Sequence, residues 1–392
     1  MKIMSVNAGS SSLKFSLFDI ETETLIASGY FEKVTIPGSF FNIKFNGEKI
    51  YEEVEMPNHT VAVEVMLDRL IKLGIVSSLD EIEAVGHRIV HGGDKYNKSV
   101  IITDEVMADL EKYAELAPLH NPANILGVNA VKAALPNVPM VGVFDTAFHQ
   151  TMDETSFMYP VPYEWYTDLM VRKYGFHGTS HCYISKQIPR ILGKEDYKAI
   201  ICHLGSGGSL SAVENGKCID TTMGFTPLAG IMMGTRSGDI DPSIVTYVAS
   251  KTGKSADEVM NDLNKKSGFL GLSGKSNDFR DVNEGRLAGD ERCTLAINKY
   301  VKTVVDYIAQ YYVELGGADI IVFTAGLGEN ACPVRKMIME KLACLGVTIN
   351  EEANEVRGEE IEISGTDSKI KVVVVPTNEE LMIAQDTYEL VK

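Results

Sequence analysis

The chain has 392 residues, with 37 Lys and Arg against 54 Asp and Glu, a formal net charge of −17. Hydrophobic residues at 45% and charged residues at 23% are the balance of a folded chain, which argues against disorder over the whole length and leaves room for two ordinary domains or one large one. An acidic surface disfavours nucleic acid and anionic membranes, so an anionic ligand must find its positive groups gathered locally.

Strands are expected over 3–6 and 13–18, joined by a Gly/Ser-rich turn. An amphipathic helix is expected over 61–73, with Val63, Met66, Leu67, Leu70 and Ile71 on one face. Strands follow near 83–87 and 139–144, and between them Asn121-Pro122 reads as a helix N-cap with Pro at the first helical position. A long helix covers 294–315 with Ile297, Val301, Val304, Val305 and Ile308 inward. A strand over 319–326 precedes a helix opened by Pro333, with Val334, Met337, Ile338 and Leu342 inward. The last strand is 371–376, and a final helix runs to the C-terminus behind a capping box, Thr377-x-x-Glu380. Alternating strands and helices mean α/β. No apolar run reaches the roughly 18–20 residues that span a bilayer. The N-terminus lacks the apolar region of a secretory signal, and Cys182, Cys202, Cys218, Cys293, Cys332 and Cys344 show no metal-ligand spacing. The expectation is a cytoplasmic protein with reduced thiols, binding neither nucleic acid nor membrane.

Residues 3–18 echo residues 200–213, and aligning Gly9 with Gly205 also aligns Asn7 with His203. The echo fits a duplicated domain, or two unrelated hairpins. Three Gly-rich turns could cradle phosphate: NAGSSSLK (7–14), HLGSGGS (203–209) and AGLGEN (325–330). SGKS at 273–276 ends like a P-loop, but Phe269 stands where its first Gly is required. Residues 326–331 also fit G-x-G-x-x-A, with Glu351 near the place of a ribose-binding acid, so a dinucleotide-dependent enzyme is an alternative. Basic and imidazole groups fall in short strings: GHRIVHGG (86–93), APLHNP (117–122), FDTAFH (144–149), YGFHGTSH (174–181) and GTRSGDIDP (234–242). Each alone could be a salt bridge or a satisfied loop histidine. Together Arg88, His120, His177, His203 and Arg236 exceed what loops usually hold, and Arg suits bidentate recognition of carboxylate or phosphate.

These strings, with MGFTPLAGIMMGTRSGDIDP, SNDFRD, TAGLGENA and PTNEEL, resemble the signature blocks of the acetate kinase family, in the family's order and over residues 3 to 386. The resemblance implies the superfamily of acetate and sugar kinases, heat-shock chaperones and actin. It implies two duplicated ribonuclease H-like α/β domains, with mixed sheets flanked by helices and nucleotide in the cleft between them. The expected domains are 1–150 with 380–392, and 151–379, the second carrying the nucleotide-binding loops. The implied reaction is ATP plus acetate giving ADP and acetyl phosphate, in a homodimer, with Mg²⁺ or Mn²⁺. Propionate or butyrate is the alternative acceptor.

By the same resemblance, Arg88, Asp145, His177 and Arg236 carry the catalysis, Arg88 and Arg236 gripping acetate and the transferring phosphoryl. Acetate is already ionised, so Asp145 is expected to order metal-bound water or hold an Arg rather than act as a base. Arg88, Val90, Leu119, His120, Phe176 and Pro227 would bind acetate. Asn7 and Glu379 would organise the metal. Ser10, Ser12, Lys14, His203, Leu204, Gly205, Ser206 and Gly207 would take the phosphates. Asp278, Phe279, Arg280, Gly326, Leu327, Gly328, Glu329 and Asn330 would hold adenosine. The sequence departs from the family twice: Ser206 replaces an Asn in HLGNG, and Ala229 replaces a Glu in TPLEG.

Overall fold

The computed structural model describes residues 1–118 and 120–392 and divides into two compact units, Met1–Gln150 with Asn378–Lys392, and Thr151–Thr377. The first unit holds β1 (Lys2–Gly9), β2 (Ser12–Asp19), β3 (Thr24–Glu32), β4 (Phe40–Phe45), β5 (Glu48–Glu53), β6 (Ala84–Ile89), β7 (Val100–Ile101) and β8 (Met140–Phe144). They form one sheet in the order β5-β4-β3-β2-β1-β6-β8-β7. β1 pairs antiparallel with β2 but parallel with β6, and β6 is parallel with β8. All five residues of β8 are buried, as a strand covered on both faces requires. The outermost strand, β5, leaves its charged residues in solvent, which discourages edge-to-edge pairing.

The second unit holds β9 (Lys198–Leu204), β10 (Gly208–Glu214), β11 (Lys217–Thr221), β12 (Ile320–Thr324), β13 (Ile361–Glu362) and β14 (Lys371–Val374), in the order β11-β10-β9-β12-β14-β13. β10 is antiparallel to β9, and β9, β12 and β14 are parallel neighbours. The strands β3-β2-β1-β6-β8-β7 and β11-β10-β9-β12-β14-β13 thus repeat one wiring, down to an antiparallel last pair in each sheet. The hairpins of the sequence echo are β1–β2 and β9–β10, which hold the same place in the two sheets. The fold is a pair of ribonuclease H-like α/β domains, and the first adds the β4–β5 hairpin.

Helices cover the sheets. His59–Lys72 and Asn121–Ala134 pack together over the first core, and the former is capped by Asn58, whose side chain accepts from the Val61 amide. Glu379–Val391 lies over β6, β1 and β8, burying Ile383 against Val141 and Val143. Its close approach requires Gly86: a Cβ there would run into Thr387 and Ile383. In the second unit Glu291–Glu314, N-capped by Asp290, sets Ile297, Val301, Val304 and Ile308 into the core with β9 and β12. Among the described residues no helix is long and apolar enough to cross a membrane.

Three local expectations are corrected. Asn121 is the first helical residue rather than the cap, and its fully buried side chain serves the backbone of His91 instead. Residues 325–330 do not continue the strand but turn into a short helix, because the Ala325 amide is held by the Glu329 carboxylate within the same turn. The last helix has no Thr377–Glu380 capping box. Asn378 caps it, accepting from the Leu381 amide, which leaves the Thr377 hydroxyl to reach Ser180.

Candidate active site

In the first unit, Arg88 lies near the C-terminal end of β6 and Asp145 directly follows β8. Parallel neighbours bring these strand ends side by side. The guanidinium grips the carboxylate as a fork, Nε at 3.1 and 3.2 Å from Oδ1 and Oδ2 and Nη2 at 2.6 Å from Oδ2. Asp145 is only 1% exposed. Its charge, with smaller help from Glu379 and Glu380, holds the Arg88 guanidinium firmly protonated against the cost of burial. Glu379 opens the last helix, and burial pushes its carboxyl up to about 7 although Arg88 and, more weakly, Lys14 pull it down. Asn7 and Lys14 are cross-strand partners in the β1–β2 hairpin, whose tip is Ser10–Ser11.

Two buried asparagines hold this arrangement. Asn124 accepts from the Val90 amide at 3.0 Å and donates to the Ala8 carbonyl at 2.8 Å, so it ties the chain after Arg88 to the hairpin. Asn121 accepts from the His91 amide at 3.1 Å and donates to the His91 carbonyl at 2.9 Å. Sequence reasoning missed both roles, although the block LAPLHNP carries one of these residues. His120 is the residue before that helix, and Val90, two residues after Arg88, is buried. Leu119 lies outside the described residues.

In the second unit the β9–β10 turn, Gly205–Gly207, closes on itself, the Gly205 amide donating to the Gly207 carbonyl at 2.9 Å. His203, the last but one residue of β9, lies next to this turn, and its ring stacks on His177 at 4.2 Å between centroids. His177 sits just before the helix Gly178–Leu192 in the left-handed region, φ 57°, a strained setting for a residue with a side chain. A Cβ on Gly207 would lie 3.3 Å from Arg236 Nη1 and 3.5 Å from His177 Nε2, so turn, guanidinium and imidazole converge on one point. Arg236 is held differently from Arg88. Its Nη1 donates to the Pro227 carbonyl at 3.2 Å and touches the Met233 sulfur, and no carboxylate pairs with it among the described residues. Burial alone pulls its protonation downward. Phe176 is buried in the same unit and Pro227 is half-buried.

A cavity of about 620 Å³ lies in this unit, lined by Ser206, Phe279, Gly326, Leu327, Asn330 and Arg357 among others. Asp278 and Arg280 also line it, paired with each other through a second fork with Nη2 to Oδ2 at 2.6 Å. Gly328 and Glu329 do not line it. Glu329 Oε1 instead accepts from the Ala325 amide at 2.8 Å and the Thr377 amide at 3.1 Å. Asn277, Asn283, Glu284, Ala331, Pro333 and Arg357 complete the wall and were not foreseen. Asn283 and Glu284 follow Phe279 by one helical turn, a signal that was there to read. Arg357 had none. It is brought in by Arg335, fully buried, which donates to the carbonyls of Gly328 and Val356 at 2.9 and 2.8 Å and to Asn354 Oδ1 at 2.9 Å. Glu351 pairs with Lys336 at 2.7 Å and is not among the cavity residues.

The acetokinase family profile matches residues 2–385. The chain belongs to the acetokinase family. The acetate kinase of Clostridium novyi is 53% identical over 396 residues, covering 100% of this chain and 99% of its own, and that of Anoxybacillus flavithermus is 52% identical over 391 residues, covering 99% and 98%. Among solved structures, the acetate kinase of Porphyromonas gingivalis superposes with a TM-score of 0.96 at 45% identity, and a propionate kinase of Francisella tularensis with 0.95 at 42%, each covering 100% of both chains. An acetokinase is a kinase with a carboxyl group as acceptor and ATP as donor. The dinucleotide alternative falls with the family match, and Glu351, its candidate ribose acid, is paired with Lys336 instead.

Proposed function

We propose that this chain catalyses the reversible transfer of the γ-phosphoryl group of ATP to acetate, giving acetyl phosphate and ADP by direct in-line attack. The convergence of Arg236 Nη1 and His177 Nε2 on the Gly207 turn carries the reading. Both reactants are anions, so the barrier is one of charge and position rather than of proton transfer. Arg236, with no carboxylate partner among the described residues, has its charge available to the transferring phosphoryl group. His177 adds a second contact. The turn amides, with His203 and Ser206, take further phosphate oxygens, and adenosine fills the cavity beside Phe279 and Leu327.

Arg88 receives the acetate carboxylate, and Asp145 keeps its fork aimed. The buried Val90, two residues after Arg88, is the apolar side chain of the first unit suited to the methyl group. A divalent cation fits the first unit: Glu379 is a carboxylate whose burial has driven its affinity for protons up, and a cation beside it would restore the charge. Glu379 and Asn7 would hold Mg²⁺, which would supply neutralisation of phosphate charge there. A homodimer is supported by two helices that bury none of their residues, Tyr163–Leu169 with Trp165 and Leu169 exposed, and Ser243–Thr252 with Ile244 and Tyr247 exposed. The cytoplasm is the compartment that free thiols and an acidic surface suit.

A second reading, propionate as the preferred acceptor, is favoured by the likeness to the Francisella tularensis propionate kinase. One assay tests both: the protein with ATP, Mg²⁺ and hydroxylamine, offered acetate, propionate and butyrate in turn. The acetohydroxamate yield should be the greatest. No hydroxamate from any acid would overturn the function, and a higher kcat/KM for propionate would overturn the acceptor.

A further inference from the structure

Ser209 is fully buried on β10, cross-strand from His203, and its hydroxyl lies between two imidazoles. His177 Nδ1 is 2.9 Å away and His181 Nε2 is 2.8 Å away. A hydroxyl has one proton to donate, so only one of these nitrogens can accept from it, and the other must donate to it. The two arrangements differ in what His177 shows to the phosphate turn. If Ser209 donates to His177 Nδ1, a neutral His177 carries its proton on Nε2, the nitrogen that approaches Gly207 beside Arg236. If instead Nδ1 donates to Ser209, a neutral ring turns a bare lone pair toward the place of the phosphoryl oxygens. A doubly protonated ring would avoid that, but it would put a cation against the stacked face of His203 and next to a half-buried guanidinium.

His203 repeats the arrangement. The Ser180 hydroxyl lies 2.8 Å from His203 Nδ1 and 2.8 Å from the Thr377 hydroxyl. Both stacked rings therefore have Nδ1 engaged by a buried serine hydroxyl. The tautomer of an imidazole is set by the bond its inner nitrogen makes.

We propose that Ser209 is a positioning residue for phosphoryl transfer: relaying a hydrogen bond from His181 Nε2–H to His177 Nδ1, it keeps the His177 proton on Nε2, where it meets the phosphoryl oxygens. The proposal deepens the kinase reading and rests on it for the purpose of that proton. The test uses the full-length protein labelled with ¹⁵N-histidine, with the His177 signals assigned by their loss in His177→Gln. The wild-type ring should show a protonated Nε2 and a hydrogen-bonded, unprotonated Nδ1. Ser209→Ala should shift protons to Nδ1 and lower kcat by about 10- to 100-fold, the scale on which a supporting hydrogen bond usually acts, with KM for ATP nearly unchanged. Ser209→Thr, which keeps the hydroxyl, should restore both. A wild-type proton on Nδ1 overturns the proposal without any variant being needed. So does a Ser209→Ala protein whose His177 signals are unchanged and whose kcat follows only its loss of folded population. The tautomer is read without substrate, so failure to phosphorylate any carboxylate would overturn the function and leave this assignment standing.

Discussion

Arg88 of the first unit and Arg236 of the second are half-buried cations in opposite electrostatic settings. Arg88 is forked onto a buried aspartate and is held protonated by it, so much of its charge is already neutralised in the resting protein. Arg236 has a carbonyl and a sulfur for company, and burial disfavours its charge. A cation in the second setting is destabilising until an anion arrives, and what it gains then is largest where negative charge is greatest. The two units share one sheet wiring, so the difference comes from the loops: β8 of the first unit is followed by Asp145, whereas β14 of the second is followed by Val375 and Pro376.

The comparison predicts different failures. Arg236→Ala should lower kcat by roughly 10³–10⁵, the worth of an arginine acting on the transferring phosphoryl group, and leave the melting temperature unchanged or slightly higher. Arg236→Lys should not rescue it, because a point charge does not replace a planar fork. Steady-state kinetics beside a thermal melt would expose the error if activity survived or the fold collapsed.

Arg88→Ala should also lose activity, but it should lose stability as well. Removing one member of a buried pair typically costs about 3–5 kcal/mol, and the cost here should be nearer the low end because the Arg88 side chain keeps 24% of its surface in solvent. The double variant Arg88→Met, Asp145→Leu should regain much of that stability and none of the activity. Urea unfolding of both would break the contrast if Arg88→Ala proved as stable as Arg236→Ala.

Acid should weaken the first unit through His87. This imidazole is 2% exposed, its Nε2 has no hydrogen-bond partner among the described residues, and burial pushes it down to about 3. The folded state keeps it neutral while the unfolded chain takes up a proton below its ordinary value. Stability should therefore fall as pH drops from about 6.5 toward 3, by about 1.4 kcal/mol per pH unit for this group. His87→Gln should flatten that part of the profile, and urea midpoints across pH would show an unaltered slope if another group were responsible.

The smallest effect is expected at Ser206, an exposed residue at the cavity's edge. Ser206→Asn restores the family's residue and adds a longer donor, so kcat/KM for ATP should rise by no more than about tenfold, the scale of one net hydrogen bond. A tenfold fall would mean that the turn is shaped around Ser.

Much of the site was legible because its chemistry resides in residue types that proteins rarely cluster without need. Arg88, His120, His177, His203 and Arg236 stood out in short strings of the sequence, and Asp145 through the family resemblance. The supporting groups did not. Asn121 looked like a cap and Thr377 like part of a capping box, since both satisfied local rules. Tertiary partners, the His91 backbone and Ser180, took their side chains instead. Glu329 and Gly328 were grouped with adenosine because they stand in the same short string as Gly326 and Asn330. A helical turn brings residues i, i+1, i+4 and i+5 to one side, so Gly326, Leu327, Asn330 and Ala331 face the cavity while Gly328 and Glu329 do not.

The sequence by itself determined the α/β class, because hydrophobic period and turn composition are properties of neighbours along the chain, and its motif blocks carried the resemblance to the family; the hairpin echo was left open between duplication and coincidence. Only the tertiary structure decided which arginine is neutralised, which wall Arg357 joins and which hydroxyl stands between His177 and His181. Those outcomes depend on strand ends and helix faces that lie tens to hundreds of residues apart, and on which polar groups burial obliges to find a partner. Local pattern carries no record of that choice.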